Sequence, residues 1–411
     1  MSHPGKFNNY IDGKWVEPRS GLYYPDANPA DDGDVIGEFA LSGDEDAAAA
    51  ILSADRAFKS WSGLTVARRE AYIERFASLI AENRLRIGEA ICREEGKTLK
   101  EAMGEPDRGV EECRYFIGEG RRLEGITMPS DRDGVTSVAV RVPLGVIAAI
   151  TPWNFPFLTP LRKIIPALVT GNTVVFKPAS DTPHSGVLIM ELFDKAGLPP
   201  GVVNMVTGRG GSVGDAITSN PLVHGITFTG STEVGRRINQ IAASHFAKVQ
   251  LEMGGKNPAI VAGYGDLDGA AAQIAQAAFA VTGQRCTSIS RVIVLREEAA
   301  ALTGKIAERM KSYVLGGGMD PKVTMGPLIN RQAGENVMGY IDRARTAGAT
   351  VHAVGRKLSA NRTAYGLAAS LFTDSCMPFG GVKNSGLGAF SKGATNKDFF
   401  TTWKVNYTKY A

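Results

Sequence analysis

The sequence predicts an α/β fold with two doubly wound units, each a parallel sheet with helices on both faces. Apolar runs of strand length alternate with helix-length segments from residue 134 onward, and the alternation restarts after Gly254 and Gly255. Such alternation is typical of parallel sheets, because each crossover connection places a helix on a face of the sheet. The length of 411 residues also exceeds what one hydrophobic core usually serves.

The first unit begins with a helical region over residues 45–122. Asp44, Glu45 and Asp46 form a helix start that leads into an Ala-rich run. The remaining predicted elements of this unit are amphipathic helices around 67–83 and 85–103, strands at 144–151, 173–176, 202–206 and 225–229, and helices at 185–196 and 233–244.

The second unit follows the two glycines and is shorter. Its predicted elements are strands at 259–261 and 291–295 and helices at 267–281 and 297–313. Two further segments, 135–142 and 399–410, alternate apolar and polar residues without partner helices. We predict these two as exposed or subunit-pairing strands.

The composition is that of a soluble globular protein, with 44% hydrophobic and 21% charged residues. The net charge of +4 is slight, and Lys and Arg are interspersed with Asp and Glu, so we expect no nucleic-acid partner. Because no apolar stretch approaches the roughly twenty residues of a membrane helix, we expect no membrane association. The N-terminus lacks the apolar core of a signal peptide, which favours a cytoplasmic location.

Cys286 is the candidate nucleophile among four cysteines. Cys92 and Cys113 lie within helical patterns, where an unpaired thiol is usually a small buried hydrophobic group. These three and Cys376 show no Cys-x-x-Cys spacing, so we expect reduced thiols. Cys286 directly follows Arg285 at a point where a helix must end, a partly exposed, electropositive setting that favours the thiolate. A structural role for Cys286 stays equally open on these grounds.

Glu252 and Asn154 could serve the same chemistry. Glu252 follows an apolar strand-like segment and precedes two glycines, so its carboxylate lies where the backbone can approach a ligand. Asn154 lies in a rigid loop between Pro152 and Pro156, and such an amide can donate to a developing oxyanion. Taken alone, each is more typical of a surface carboxylate or a turn former.

A phosphate site is indicated at residues 228–235, where a strand ends, a glycine turn follows and a helix starts. This is not the Gly-x-Gly-x-x-Gly fingerprint, so it is a weak dinucleotide signal by itself. Lys177 also follows a strand and could reach a ribose hydroxyl or a phosphate, or it could be a solvated lysine at a strand end. The sequence has no metal-ligand spacing, and we expect no metal.

Six motifs in order make the sequence similar to the aldehyde dehydrogenase superfamily, and most similar to its succinate and 2-oxoglutarate semialdehyde dehydrogenases. The motifs are Pro-Trp-Asn-Phe-Pro (152–156), Lys-Pro-Ala (177–179), Phe-Thr-Gly-Ser-Thr (228–232), Leu-Glu-Met-Gly-Gly-Lys-Asn-Pro (251–258), Gly-Gln-Arg-Cys (283–286) and Pro-Phe-Gly-Gly-Val-Lys-Asn-Ser-Gly (378–386). The resemblance implies a dinucleotide-binding domain at 1–120 and 145–253, a catalytic domain at 254–395, and oligomerisation strands at 121–144 and 396–411 that join a homodimer or homotetramer.

The resemblance also implies a role for each site residue. Cys286 would attack an aldehyde, with the oxyanion held by Asn154 and a backbone N–H, hydride would pass to NAD or NADP, and Glu252 would activate water to hydrolyse the thioester. Lys177 would serve both the catalytic and the cofactor site. The implied cofactor residues are Thr151, Trp153, Lys177, Pro178, Ala179, Ser180, Gly214, Gly230, Ser231 and Met253.

Two positions bear on specificity. Ser180 replaces the family's glutamate, which would pair with the adenosine ribose and repel a 2′-phosphate, so we expect NADP to be accepted as well as NAD. Arg162, eight residues after Asn154, and Arg285 are candidates to hold a distal carboxylate of the substrate. For Arg285 a purely structural role is the alternative.

The family has two segments that this sequence lacks, after Ser359 and after Ser375. The first contains a Glu-x-Phe-Gly-Pro motif whose glutamate binds the nicotinamide ribose, and the second contains a helix and a strand. Either the natural protein has these residues and the sequence here omits them, or the polypeptide lacks them. We favour the former, because lost interior strands expose apolar surface and unpaired sheet edges.

Two other functions stay open at this point. Transfer of the acyl group to coenzyme A is one, although family members of that kind usually lack the glutamate found at position 252. A non-catalytic structural or binding protein on the same fold is the other, and the two absent segments keep it open.

Overall fold

The structure is a computed structural model that describes residues 5–352, 357–359, 362–363, 381–392 and 394–409. The strands are β1 (Lys6–Phe7), β2 (Asn9–Ile11), β3 (Lys14–Val16), β4 (Tyr23–Ala27), β5 (Val35–Ala40), β6 (Ile126–Pro129), β7 (Val135–Pro143), β8 (Val146–Ile150), β9 (Thr173–Lys177), β10 (Val203–Met205), β11 (Val223–Gly230), β12 (Lys248–Met253), β13 (Asn257–Val261), β14 (Ile289–Val294), β15 (Lys357–Ser359), β16 (Arg362–Thr363), β17 (Gly386–Leu387) and β18 (Thr401–Lys409). The helices are α1 (Asp44–Ser62), α2 (Val66–Glu82), α3 (Arg84–Glu95), α4 (Leu99–Ala102), α5 (Gly104–Gly120), α6 (Leu158–Val169), α7 (Pro183–Lys195), α8 (Asp215–Ser219), α9 (Thr232–Ala243), α10 (Leu267–Phe279), α11 (Arg296–Lys311), α12 (Arg331–Thr346) and α13 (Lys397–Phe400).

An eight-stranded sheet in the order β17-β12-β11-β8-β9-β10-β2-β3 forms the first unit. The five strands from β12 to β10 are mutually parallel, and β17 and β2 add to the two sides in antiparallel fashion. The strands predicted at 144–151, 173–176, 202–206 and 225–229 are confirmed as β8, β9, β10 and β11. Because they are parallel, their carboxyl ends meet along one edge, and the candidate site lies there.

Helices cover both faces of this sheet. Successive residues of β8 point to opposite sides, so Ile147 and Ala149 enter one apolar cluster and Val146, Ala148 and Ile150 enter the other. The first cluster contains residues of α2, α5, α6 and α7, and the second contains residues of α1, α8 and α9. Every residue of β8 and β9 is buried. This is the doubly wound arrangement that the sequence predicts.

The second unit is a two-stranded parallel sheet of β13 and β14. Its inner face packs on α10 and α11 through an apolar cluster that includes Val261, Ile274 and Leu302. Its other face carries Ile260 and Ile293, which are 73% and 53% exposed. Within the described residues this sheet therefore has helices on one face only. The position after Ser359 is followed by residues outside the described part of the chain. The position after Ser375 and Cys376 lie outside the described residues altogether.

A small antiparallel sheet in the order β18-β7-β6 is separate from the sheets of both units. Its two long strands pair over nine positions, from Thr401 opposite Pro143 to Lys409 opposite Val135. The segments predicted as exposed or subunit-pairing strands thus pair with each other, and the outer strand β18 is exposed along nearly all of its length. No helix among the described residues is long and apolar enough to cross a membrane.

Candidate active site

Cys286 lies in the loop between α10 and β14. After α10 ends, a short 3-10 turn over Ala280–Gly283 contains Val281 and Thr282, both at φ 53, in the left-handed region that β-branched residues rarely adopt. The strained turn is held from two sides: Glu101 Oε1 accepts the Val281 N–H at 2.8 Å, and Thr282 Oγ1 donates to the Gly326 carbonyl at 3.0 Å. These contacts fix the start of the loop that carries the thiol.

The electrostatic setting of Cys286 differs from the sequence expectation. Although the residue as a whole is exposed, the protein atoms around its sulfur remove hydration and raise the pKa of the thiol, and the charge of Glu252 raises it further. The charge of Arg162 and the backbone N–H groups of Cys286 and Thr287 act in the opposite direction. The expectation that this environment favours the thiolate is therefore wrong. Burial and the charge of Glu252 raise the pKa of the thiol by more than the nearby cation lowers it.

Glu252 lies near the end of β12 and is buried. Burial raises the pKa of its carboxyl, while the charge of Lys163, hydrogen bonds from Ser391 and the charge of Arg162 lower it. The net direction is upward. A carboxyl group whose pKa is raised towards neutrality can exchange a proton near physiological pH, as a general base requires.

Lys163 is a member of the site that the sequence analysis missed. It is buried on α6, where its Nζ donates to Thr227 Oγ1 at 3.0 Å, and Thr227 Oγ1 in turn donates to Gln250 Oε1 at 2.8 Å. Burial lowers the pKa of the Lys163 ammonium, against the raising effect of Glu252. The signal available in the sequence was a second cation, next to Arg162, inside a mostly apolar helical run.

Asn154 lies in the loop between β8 and α6. Its Nδ2 donates to the backbone carbonyl of Gln284 at 2.6 Å, two positions before the candidate nucleophile. The structure therefore brings together Asn154 and the Cys286 loop from distant parts of the chain. An amide nitrogen has two N–H groups, so one can bind Gln284 while the other faces a ligand.

The predicted cofactor residues follow the carboxyl ends of neighbouring strands. Thr151 comes after β8 and its N–H donates to the Lys177 carbonyl at 3.2 Å, while Gly230 ends β11 and Met253 ends β12. Ser231 is the N-cap of α9 and accepts the Val234 N–H. The remaining positions adjoin these ends, with Trp153 after β8 and Pro178 and Ala179 after β9.

Lys177 is the charged group of this crevice. It is 4% exposed, its Nζ donates to the Pro178 carbonyl at 3.0 Å, and burial lowers its pKa to about 8 against the effect of Asp181. A Cβ placed on Gly214 would lie 3.8 Å from the Lys177 side chain, so these two predicted residues are neighbours. Ser180 Oγ donates to the Gly208 carbonyl at 2.8 Å.

These residues fit the phosphate and adenosine part of a dinucleotide. An ammonium with further N–H groups and a capped helix N-terminus offer donors to phosphate and ribose oxygens. The Glu-x-Phe-Gly-Pro motif, whose glutamate the resemblance implies for the nicotinamide ribose, is absent from the sequence.

Arg162 and Arg285 both lie near the thiol, but each has a different environment. Arg162 Nε donates to Glu112 Oε1 at 2.8 Å, and the fully buried Lys392 lies 3.4 Å from the same oxygen. Two cations therefore share one buried carboxylate, and Lys392 was not identified from the sequence. Burial lowers the pKa of the Arg285 guanidinium, and its Nε has no hydrogen-bond partner among the described residues.

Comparison with known proteins gives one consistent result. The sequence matches the family described as "Aldehyde dehydrogenase family" over residues 15–375. It is 36% identical to an alpha-ketoglutaric semialdehyde dehydrogenase of Bacillus subtilis (strain 168) over 484 aligned positions, 73 more than the 411 residues present here, covering 100% of this chain and 99% of that protein. It is 38% identical to the NADP(+) succinate-semialdehyde dehydrogenase GabD of Escherichia coli (strain K12), covering 84% of this chain and 72% of that protein.

Solved structures agree with the sequence relatives. The crystal structure of an E. coli NADP dependent enzyme superposes with a TM-score of 0.93 at 30% identity, covering 98% of both chains. The NAD+ complex of an aldehyde dehydrogenase from Bacillus cereus superposes with a TM-score of 0.94 at 28% identity, covering 98% of this chain and 96% of that one. The fold is therefore shared over nearly the whole chain.

Proposed function

The chain belongs to the aldehyde dehydrogenase family, and we propose that it oxidises a semialdehyde bearing a carboxylate, of the succinate or 2-oxoglutarate type, to the corresponding acid. As a family member it is an NAD(P)-dependent oxidoreductase that acts on an aldehyde. The observation that carries the substrate proposal is the position of Arg162, whose charge acts on the pKa of both Cys286 and Glu252. A guanidinium so near the reacting groups can bind the distal carboxylate of a short substrate.

The first chemical step needs a base, because the Cys286 thiol has a raised pKa. Glu252 accepts the thiol proton, and Sγ forms a bond to the aldehyde carbon. The carbonyl oxygen becomes an oxyanion, which accepts hydrogen bonds from Asn154 Nδ2 and from the backbone N–H of Cys286. Asn154 is fixed for this by its bond to Gln284.

The later steps regenerate the thiol. When bound, the nicotinamide cofactor supplies the acceptor for the hydride that leaves the substrate carbon. Lys177, Gly214 and Ser231 would hold its phosphate and ribose groups at the carboxyl edge of the sheet. Before hydrolysis Glu252 releases to solvent the proton that it took from the thiol. It then removes a proton from water, and the water oxygen attacks the thioester carbon. The acid is released, and the Cys286 thiolate that leaves takes the proton from Glu252 to become the thiol again.

For the cofactor we propose that NADP is accepted along with NAD. Ser180 is uncharged and its hydroxyl donates to the Gly208 carbonyl, so it places no negative charge against a 2′-phosphate. Steady-state kinetics with both cofactors test this, and Ser180→Glu is the matched variant. We expect the variant to lose NADP turnover and keep NAD turnover; an unmodified enzyme inactive with NADP would contradict the proposal.

The substrate proposal is tested with a panel of aldehydes of matched length. Succinate semialdehyde and 2-oxoglutarate semialdehyde are compared with uncharged aldehydes by the absorbance of the reduced cofactor. We expect the carboxylate-bearing substrates to have the higher kcat/KM, and Cys286→Ala to be inactive with all of them. Equal turnover of an uncharged aldehyde would contradict the substrate class while leaving the aldehyde oxidation intact.

We also propose that the chain assembles into a homodimer or homotetramer through β18. Among the described residues this strand pairs with β7 on one side only, and its side chains after Thr401, including Trp403, Val405 and Tyr407, are exposed. An open edge of nine residues is a template for pairing with a second copy. Light scattering of the purified protein, with Val405→Pro as the interrupting variant, tests the assembly.

A further inference from the structure

We propose that the buried ion pair of Lys97 and Glu105 positions Asn154, so that the side-chain amide of Asn154, the oxyanion donor, points towards Cys286. This inference rests on the proposed role of Asn154 and adds two positioning residues to it. Neither residue touches the candidate nucleophile, and both act through the loop between β8 and α6.

Lys97 binds the N-terminal part of the loop between β8 and α6. The residue lies between α3 and α4, is 1% exposed, and donates from Nζ to the Asn154 carbonyl oxygen at 2.7 Å. The same ammonium donates to Glu105 Oε1 at 2.8 Å and lies 4.3 Å from the centre of the Phe155 ring. Because Lys97 binds the backbone of Asn154, it fixes the peptide plane from which the side-chain amide projects.

Glu105 binds the C-terminal end of the same loop, where α6 begins. Its Oε2 accepts the N–H groups of Phe157 at 3.1 Å and Leu158 at 2.9 Å, at the start of α6. A carboxylate at a helix N-terminus satisfies donors that have no partner within the helix. The ion pair therefore binds both ends of a five-residue segment, with Asn154 at one end and Leu158 at the other.

Neighbouring residues keep the ion pair ionised and hold Lys97 in place. Although burial alone would lower it, the pKa of Lys97 is raised by Glu105 and Glu95, so the ammonium stays protonated. The Leu99 N–H donates to the Gly318 carbonyl at 2.9 Å, and a Cβ on Gly318 would lie only 2.1 Å from the Lys97 carbonyl oxygen. The corner that carries Lys97 is thus packed against the second unit, which also carries the Cys286 loop.

Stability alone does not account for such a pair. Burying two charges costs desolvation energy, and well-packed apolar residues of similar volume are often equally stabilising. What apolar residues could not do is bind the Asn154 carbonyl and two N–H groups at defined points. The geometry of these bonds therefore points to placement of the loop.

A double-mutant cycle with Asn154→Ala tests the inference. The charge-neutral double variant Lys97→Met with Glu105→Gln is made in the wild-type and in the Asn154→Ala background, and kcat and KM are measured for each. We expect kcat to fall about 10- to 100-fold in the wild-type background, with little change in KM, since a small misplacement of a reacting group has effects of this size. In the Asn154→Ala background the same double variant should lower kcat less than about threefold, because the group that it positions is already gone.

Two results separate the possible failures. If Asn154→Ala alone leaves kcat unchanged, the proposed role of Asn154 is wrong; if it lowers kcat but the two losses multiply, only the positioning inference is overturned. Glu105→Gln alone repeats the cycle should the double variant not fold, since its amide oxygen can still accept the N–H groups of α6. Glu70→Gln is the control, because Glu70 is a buried carboxylate paired with Arg121 away from both loops, and it should leave kcat unchanged.

Discussion

Burial raises the pKa of the Cys286 thiol, the charge of Glu252 raises it further, and the charge of Arg162 lowers it. The raised pKa means that the thiolate is scarce unless a base takes the proton, and Glu252 is the nearby group able to do so. The pKa of Glu252 is itself set by a balance, since burial raises it and the charge of Lys163 lowers it. The protonation of the Cys286 thiol thus depends on Glu252 and Arg162, and that of Glu252 depends in turn on Lys163.

This balance predicts a pH effect of Lys163→Met. Glu252 must be ionised to act as a base, so the rate should rise with pH through its raised pKa and be lost below it. Removal of the Lys163 charge takes away a cation that stabilises the carboxylate, which raises the pKa of Glu252 further. We therefore expect the acidic limb of the kcat/KM profile to move to higher pH.

The measurement is a pH–rate profile of the variant beside wild type. Lys195→Met, which removes an exposed lysine at the end of α7, is the control and should leave the limb in place. A limb that stays fixed or moves to lower pH in Lys163→Met would show that this lysine does not stabilise the Glu252 carboxylate.

Arg162→Gln tests substrate recognition at the same scale. A hydrogen bond to a charged group contributes about 1.5–3 kcal/mol, so kcat/KM for succinate semialdehyde should fall by about 10- to 100-fold. An uncharged aldehyde of equal length should be little affected. Arg237→Gln, which breaks an exposed ion pair with Asp215, is the control. An equal loss for both aldehydes would assign Arg162 to general support of the site.

The helix α4 carries Glu101, which connects the N-cap of this helix with the strained turn before Cys286. Glu101 Oε2 accepts from Thr98 at the start of α4, while Oε1 accepts the Val281 N–H. One carboxylate therefore holds both a helix terminus and the turn in which Val281 and Thr282 adopt left-handed backbone angles.

Glu101→Ala and Thr98→Ala separate these two functions. Each removes part of the α4 cap and should cost about 0.5–2 kcal/mol of unfolding free energy. Only Glu101→Ala also releases Val281, so we expect kcat to fall in this variant and to stay near wild type in Thr98→Ala. Thermal unfolding together with steady-state kinetics checks both. Equal kcat in the two variants would mean that the turn holds its shape without Glu101.

The elements also show what the sequence could predict. Strands β8 and β9 are largely apolar and buried on both faces, which is a strong local signal, and the two motifs predicted after these strands begin where the strands end, with Asn154 in the loop after β8 and Lys177 as the last residue of β9. The short strands β1 to β5 were missed, because two to six residues with mixed polarity carry little periodic signal. Lys97, Lys163 and Lys392 were missed because their importance comes from burial and long-range contacts. The expected direction of the pKa shift of Cys286 was wrong, because the shift depends first on burial of the thiol and then on Glu252, which is distant in sequence.

For the whole molecule, the main feature is the open face of the β13–β14 sheet. The first unit covers both faces of its sheet, whereas Ile260 and Ile293 lie side by side and exposed on the second. The two segments that the resemblance implies to be absent, after Ser359 and after Ser375, would fall in this same unit. Its state bears directly on whether a polypeptide of these 411 residues is the whole natural protein.

The double variant Ile260→Thr with Ile293→Thr tests this point. Among the described residues nothing covers these two side chains, so in the 411-residue polypeptide we expect the change to alter the unfolding free energy by no more than about 0.5 kcal/mol per site and to reduce binding of an apolar dye. If two additional segments cover this face in a natural protein, truncation of the same side chains there should cost several-fold more. Val292→Thr on the inner face is the matched control and should be destabilising in either case, because Val292 packs in the cluster with α10 and α11. A large stability loss in the outward pair for the 411-residue polypeptide would mean that another part of this chain covers the face.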